Sequence, residues 1–332
     1  MALRHFYRLS EFSVDEVQGF IDRAIRFKQD PYPNCLDRRQ IGLLFLNPSL
    51  RTRCSFEVGI RHLGGGVSTL EAQSLWKLES DLGVRMDQDS SEHVKEAVGV
   101  LSRYFDAIGI RAFARGEDRD SDLLDRTLVG FMEHSKVPVF NMESASYHPC
   151  QALADLVTMQ ELLKGLQGKK ISIVWAYHPL ALPMAVPNSI LLAASQMGMD
   201  VTLGHPDGFE IQSGILSMAE ALAEKSGGRI RVVNDRREAV VGSEVVYAKA
   251  WGGLGRYDDP RMEQAVREQN RDWIVDSELM AQSNRGYFMH CLPVRRNVVV
   301  TDQVIDSGQS IVLRQAENRL HAQKAVLEWI FS

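Results

Sequence analysis

Apolar and polar positions along this 332-residue chain alternate between short apolar runs and longer amphipathic stretches. In the first half, runs at residues 41–46, 66–70, 107–110 and 137–140 have the length of buried strands. Between them, residues 53–63, 92–104 and 123–134 repeat their apolar positions at helical spacing. The second half predicts strands at 171–176, 200–204, 230–233, 245–248 and 287–290. Strands alternating with helices specify βαβ units, so the expected fold class is α/β with two doubly wound parallel-sheet domains. An apolar helix at 152–163 runs into Gly165-Leu166-Gln167-Gly168-Lys169-Lys170, which places the boundary between the halves around residues 141–168. The last segment, 316–331, reads as one amphipathic helix.

Composition narrows the picture. At roughly 100–200 residues per domain the length suits two domains, each able to bury its own core. With 45% hydrophobic and 24% charged residues, the chain is globular rather than disordered or fibrous. The 38 Lys and Arg against 43 Asp and Glu give a net charge of −5, so no nucleic-acid partner is expected. Met1-Ala2-Leu3-Arg4-His5-Phe6 lacks the apolar core of a secretory signal. No apolar run approaches the ~18 residues of a membrane span, so no membrane partner is expected either. Cys35, Cys54, Cys150 and Cys291 are scattered without metal-ligand spacing. Reduced thiols, a cytoplasmic location and no metal follow as expectations.

A doubly wound sheet binds ligands beyond the carboxyl ends of its strands, and three segments in such places carry chemistry. Asn47-Pro48-Ser49-Leu50-Arg51-Thr52-Arg53 follows the first strand and opens a helix. Backbone N–H groups and two guanidinium groups there suit a phosphate without a Walker pattern; the alternative is a Ser-capped helix with solvated arginines. His148-Pro149-Cys150-Gln151 closes the first half and offers hydrogen-bond donors for a carbonyl oxygen that gains charge; the alternative is an ordinary loop. His290-Cys291-Leu292-Pro293-Val294-Arg295 follows the last strand. Its thiol is either a nucleophile activated by a basic neighbour or a buried group whose backbone carbonyl matters more.

In this order, Ser49-x-Arg51-Thr52-Arg53, His148-Pro149-x-Gln151 and His290-Cys291-Leu292-Pro293, with Ala316-Glu317-Asn318-Arg319, resemble the carbamoyltransferases of the transcarbamylase family. The resemblance spans essentially the whole chain. It implies a carbamoyl phosphate-binding domain at 1–150, an amino-acid-binding domain at 151–315, and a helix at 316–332 packing back on the first. Ser49, Leu50, Arg51, Thr52 and Arg53 would hold the phosphate. Arg111 and His148 would bind the carbamoyl oxygen and Gln151 the amide. The backbone carbonyls of Cys291 and Leu292, with Arg319, would complete the pocket; Arg111, His148 and Cys291 form the implied catalytic set. Trp76 would reach across from a neighbouring subunit, implying a homotrimer. An amine would attack the carbamoyl carbon and phosphate would leave, with no cofactor and no covalent intermediate.

The acceptor is narrowed by a departure. His290-Cys291-Leu292-Pro293 resembles the ornithine branch, yet the Ser-Met-Gly loop that grips a free α-amine there is absent. Tyr247-Ala248-Lys249-Ala250-Trp251-Gly252-Gly253 stands in its place. With Trp175-Ala176-Tyr177-His178-Pro179 and Asn141-Met142-Glu143, this resembles the N-acylornithine carbamoyltransferases of arginine synthesis. By that resemblance Glu143, His178, Lys249 and Arg295 bind the amino-acid part, Ser91, Leu180 and Leu182 lie by the acyl group, and residues 182–189 make the second domain knotted. Acetyl-type enzymes carry a Glu at the Ser91 position and a Lys at the Val299 position. Succinyl-type enzymes carry Pro and an apolar residue there, and an Arg at the Leu180 position. The balance favours N-succinyl- over N-acetylornithine. Competing expectations are a plain ornithine carbamoyltransferase and a silent carbamoyl-phosphate-binding protein. A dinucleotide oxidoreductase is a third, though no Gly-x-Gly-x-x-Gly follows any predicted strand.

Overall fold

The computed structural model describes residues 3–71, 76–79, 83–114, 116 and 118–332. The chain divides into unit 1 (Met1–Glu11, Glu16–Cys150 and Arg319–Ser332) and unit 2 (Phe12–Asp15 and Gln151–Asn318). Among the described residues no helix is long and apolar enough to cross a membrane.

The first part of the chain forms α1 (Val14–Gln29), β1 (Gln40–Phe45), α2 (Leu50–His62), β2 (Gly66–Glu71), β3 (Leu78–Glu79), β4 (Glu92–His93), α3 (Val94–Tyr104), β5 (Ala107–Arg111), α4 (Arg119–Leu123), α5 (Arg126–His134), β6 (Val139–Glu143) and α6 (Pro149–Leu163). Its main sheet is parallel in the order β2-β1-β5-β6. β5 and β6 are buried at every position, whereas edge strand β2 has none fully buried. A strand covered by helices on both faces must be continuously apolar, which is why these runs were conspicuous. The last helix adds its C-terminal part to this unit. Lys324 Nζ donates to Pro31 O at 2.6 Å, and Arg26 meets both carboxylate oxygens of Glu328.

The second part forms β7 (Lys170–Trp175), α7 (Ala185–Gln196), β8 (Asp200–Gly204), α8 (Ser213–Ser226), β9 (Arg229–Val233), α9 (Arg236–Val240), β10 (Val245–Lys249), α10 (Pro260–Gln269), α11 (Ser277–Ala281), β11 (Tyr287–Met289), α12 (Asp302–Ile305) and α13 (Val312–Phe331). Its sheet is parallel in the order β11-β10-β7-β8-β9. The α/β class with parallel doubly wound sheets is the one the periodicity specified.

Each sheet reverses its winding once, between β1 and β5 in unit 1 and between β7 and β10 in unit 2. The loops leaving such a pair diverge and open a crevice at the carboxyl ends. The segment 47–53 and Arg111 lie at the first of these; residues 176–178 and Lys249 lie at the second.

Several boundaries differ from expectation. The predicted strand 137–140 is Val139–Glu143, because Pro138 has no N–H to donate to a ladder. The predicted helix 123–134 is broken into α4 and α5 at Asp125, which adopts φ 50°. Its carboxylate accepts from Ser144 Oγ at 2.7 Å, Tyr7 OH at 3.0 Å and Ser146 N at 3.0 Å, and these bonds hold the break. The predicted helix 92–104 begins at Val94, since Glu92 and His93 pair with Leu78 and Glu79 and His93 caps the helix. The final helix starts at Val312 rather than 316. Of the loop expected at 182–189, residues from Ala185 onward are already α7.

Two outcomes test this packing. A Cβ on Gly109 of β5 would overlap the Phe140 ring. Gly109→Ala should therefore destabilise by about 1–3 kcal/mol, seen as a lower thermal midpoint. Burial pushes the Asp125 carboxyl up to about 6 despite its donors. A raised folded-state value stabilises fully below the unfolded value near pH 4, and that contribution is lost as pH rises through 6. Relative to Asp125→Asn, the protein should lose on the order of 3 kcal/mol between pH 4 and 7; a pH-independent difference would contradict it.

Candidate active site

Unit 1 gathers hydrogen-bond donors and guanidinium groups at the end of β1. Ser49 is the N-cap of α2; its hydroxyl accepts from Thr52 N and donates to Thr52 Oγ1 at 3.0 Å. The first-turn N–H groups of a helix lack intrahelical partners and carry the positive end of its dipole. Arg319, on α13, is almost fully buried and donates from Nη2 to Thr52 Oγ1 at 2.7 Å. Its Nε is buried without a partner. Burial lowers its pKa from the ordinary value, and Glu143, Cys150, Arg111 and Arg51 lie within electrostatic reach. Guanidinium groups within reach of one another at a helix start favour a multiply charged anion.

Arg111 and Glu143 are brought together by the sheet. The β5–β6 register shifts after Ile110, so that Arg111 stands opposite Glu143, and the two side chains form a buried ion pair. His148 Nε2 lies 3.3 Å from the same carboxylate. Glu143 thus binds two of the residues expected to contact the carbamoyl oxygen. Arg53 is turned to Glu57 at 3.0 Å and to Glu71, with half its side chain exposed. Leu50 is exposed at 75%. Cys150, by contrast, is wholly buried, and burial pushes its thiol up to about 12; it is no nucleophile.

Unit 2 carries two further groupings. In the first, Gln151 Nε2 donates to Asp155 Oδ1 at 2.8 Å, one turn along α6. The Gln151 Oε1 is buried and has no partner. Gln315 Nε2 donates to the same Asp155 oxygen at 2.7 Å, and Tyr247 OH to the other at 3.0 Å. Burial and then the charge of Asp155 hold the Tyr247 phenol far above its ordinary range. Gln315 Oε1 accepts from His290 N at 3.0 Å, and Leu292 N donates to His290 Nδ1 at 2.9 Å. That turn holds Leu292 at φ 55°, a left-handed conformation rare for a bulky residue.

The second grouping surrounds His178. Arg295 Nε donates to His178 Nε2 at 3.0 Å, and His178 Nδ1 lies 3.0 Å from both Leu180 N and Leu180 O. Burial, then the charges of Arg295, Lys249 and Arg267, hold its pKa below the ordinary range, partly opposed by the Leu180 bond. Lys249 is buried with Nζ on Ala250 O at 3.0 Å, and Arg267 pairs with buried Glu263. Ala176 N donates to Lys249 O and Gly252 N to Leu182 O, tying the loops after β7 and β10 together. Leu180 is exposed. Sequence reasoning gave Asp155, Gln315, Tyr247 and Arg267 no role; the signal on offer was the four-residue spacing of Gln151 and Asp155, which puts them one turn apart on a helix.

Trp76 and Ser91 precede β3 and β4, which pair as a separate two-stranded sheet. Trp76 is 69% exposed, and Ser91 N donates to Lys77 O at 3.2 Å.

Comparison with known proteins gives a consistent result. Residues 4–161 match the family model for the carbamoyl phosphate-binding domain of aspartate/ornithine carbamoyltransferase, and residues 168–330 match its Asp/Orn-binding domain. The N-acetylornithine carbamoyltransferase of Xanthomonas axonopodis pv. citri is 42% identical over 331 residues, covering 98% of this chain and 96% of that protein. The N-succinylornithine carbamoyltransferase of Bacteroides thetaiotaomicron is 42% identical over 318 residues, 95% of each. A crystal structure of N-acetyl-L-ornithine transcarbamylase with one glutamate replaced by serine, complexed with carbamyl phosphate and N-succinyl-L-norvaline, superposes with a TM-score of 0.96. It is 42% identical and covers 98% of this chain and 99% of that one.

The anion site makes a direct prediction. Arg51→Met should weaken inorganic phosphate binding by about tenfold or more in titration calorimetry, the loss of one charged hydrogen bond. Unchanged affinity would remove Arg51 from the site.

Proposed function

Because the chain belongs to the aspartate/ornithine carbamoyltransferase family, we propose the following assignment of its substrates and residues. The protein is a carbamoyltransferase acting on an Nα-acylated ornithine. It transfers the carbamoyl group of carbamoyl phosphate to the δ-amine, giving an N-acylcitrulline and phosphate in arginine biosynthesis. The observation that carries the assignment is the meeting of Arg51, Arg111 and Arg319 beside the Ser49-capped start of α2.

Unit 1 takes carbamoyl phosphate. Ser49, Arg51, Thr52, the α2 N–H groups and Arg319 hold the phosphate, with Arg53 contributing through its backbone. Arg111 leaves Glu143 for the carbamoyl oxygen, which His148 also contacts. Donors already in place where negative charge builds lower the barrier most. Gln151 Oε1 and the Cys291 and Leu292 carbonyls accept from the carbamoyl NH2, and Glu143, once released, takes the acceptor's amide. The amine must lose a proton from a group with pKa of about 10.4 in water. Nearby cations favour its neutral form.

Unit 2 takes the amino acid, with Lys249 and Arg295 on the α-carboxylate and His178 orienting Arg295. The acyl group is N-succinyl. The cations around His178 exceed their single carboxylate partner, Glu263, as a ligand with two carboxylates would require. Ser91 stands where acetyl-type enzymes resembling this chain carry a glutamate, and the transcarbamylase with serine for glutamate accommodates N-succinyl-L-norvaline. Leu182 and Leu180 flank the acyl chain. Trp76 reaches a neighbouring subunit of a homotrimer, as its exposure allows. Ser91, bonded to Lys77 O beside Trp76, goes with it. The knotted crossing at 182–189 and the cytoplasmic location belong to the same assignment.

The deciding experiment measures ureido-product formation from carbamoyl phosphate with ornithine, N-acetylornithine and N-succinylornithine in parallel. Turnover confined to N-succinylornithine is expected. Turnover with N-acetylornithine alone would overturn the acyl assignment, and turnover with free ornithine alone would overturn acylation altogether.

A further inference from the structure

Asp125, a buried carboxylate of unit 1, has no part in the assignment above. It stands between α4 and α5 at φ 50°, a conformation that a non-glycine residue keeps only where its surroundings fix it. Both of its oxygens accept. Oδ1 takes Ser146 N at 3.0 Å, and Oδ2 takes Tyr7 OH at 3.0 Å and Ser144 Oγ at 2.7 Å. Burial and then the Asp125 charge hold the Tyr7 phenol far above its ordinary range, so it stays a donor. Ser144 Oγ itself accepts from Asn141 Nδ2 at 3.2 Å and Tyr147 N at 3.0 Å, which occupies both of its lone pairs. Its single hydrogen goes to the nearer acceptor, Asp125 Oδ2, rather than to Tyr147 O at 3.2 Å. Ser144 N donates to Tyr147 O at 2.8 Å and closes a turn over residues 144–147. The N-terminal segment backs this turn: Arg8 Nη1 donates to Tyr147 OH at 3.0 Å, and Asn141 Nδ2 to Tyr7 O at 3.1 Å. Glu143 immediately precedes the turn and His148 immediately follows it, with His148 Nε2 3.3 Å from the Glu143 carboxylate.

We propose that Asp125 is a positioning residue for the transfer reaction, holding the 144–147 turn and through it the spacing of Glu143 and His148. This rests on the assignment of His148 to the carbamoyl oxygen and goes beyond it by naming what fixes the imidazole in place. A carboxylate is needed because both of its sides meet donors. An asparagine would turn its NH2 either to Ser144 Oγ, whose lone pairs are taken, or to the Ser146 N–H, donor to donor. One bond to the turn is lost in each orientation. His148 touches the oxygen on which charge builds, so a shift of its ring costs most in the transition state and little in anion capture. The phosphate donors belong to other elements, Ser49 and Thr52 to the start of α2 and Arg319 to α13.

The test uses the full-length protein at about pH 8, where a carboxyl pushed up to about 6 by burial is ionised. Ureido-product formation from carbamoyl phosphate and N-succinylornithine, or N-acetylornithine if that is the acceptor used, gives the turnover. Calorimetry with inorganic phosphate counts the competent anion sites. Asp125→Asn should lower kcat per phosphate-binding site about tenfold or more, with phosphate affinity unchanged. A merely structural role would reduce the number of sites and leave kcat per site at the wild-type value, which would overturn the proposal. Ser144→Ala removes the hydroxyl between Asp125 and the turn and should lower kcat per site similarly; unchanged turnover there would also overturn it, so the test stands if Asp125→Asn does not fold. Combined, the two changes should cost less than the product of the single effects, since both act through one turn. Independent, multiplying losses would show that Asp125 does not act through Ser144. A wild-type protein that binds phosphate but forms no ureido product with ornithine or either acylated form would sink the carbamoyl-transfer reading itself, whereas an active wild type and an equally active Asp125→Asn would sink this proposal alone.

Discussion

A guanidinium taken out of water needs fixed partners, and much of unit 1 is arranged around that need at Arg319. The side chain is nearly inaccessible, is bonded to Thr52 and leaves its Nε without a protein acceptor. Removing a charge from water costs several kcal/mol unless hydrogen bonds and counter-charge replace the solvent. The Glu143 carboxylate lies within its electrostatic reach and is shared with Arg111 and His148. The guanidinium groups of Arg319, Arg111 and Arg51 lie within electrostatic reach of one another there, an arrangement that favours an anion. The C-terminal helix brings Arg319 to the loop after the first strand, where it donates to Thr52.

The same logic recurs in unit 2 with different groups. Burial and the charges of Arg295, Lys249 and Arg267 disfavour a charged His178, whose Nε2 accepts from Arg295. Asp155 is the counterpart of opposite sign, a buried carboxylate satisfied by three neutral donors. Neutral donors fix orientation without cancelling charge. Glu143, by contrast, is paired with the Arg111 guanidinium and lies beside His148. Both units place these groups where the sheet reverses its winding, so one topological rule locates two chemically different sites.

Periodicity and local chemistry determined a good deal. Residues 200–204 form a strand with the expected bounds, and the α/β class follows from alternating strands and helices. Ser49 as a helix cap and the placing of residues 47–53 and 290–292 just after strands are also local properties. They depend on a few neighbouring residues, and one-dimensional spacing encodes them. Where local signals competed, prediction failed: Asp125 breaks an apolar helical pattern because its carboxylate finds distant donors at Tyr7 and Ser144.

Only the tertiary structure decided who meets whom. Arg111 faces Glu143 because the register shifts between β5 and β6, and Arg319 reaches Thr52 across 267 positions of sequence. Arg53, indistinguishable from Arg51 by residue type, is drawn away by Glu57 and Glu71. Gln315 and Tyr247 meet Asp155 from separate elements. Such partners are selected by sheet register and helix packing, which sum many weak apolar contacts over the whole unit. The sequence by itself determined which elements form and where chemistry lies along the chain; packing decided which atoms of those residues stand free to bind.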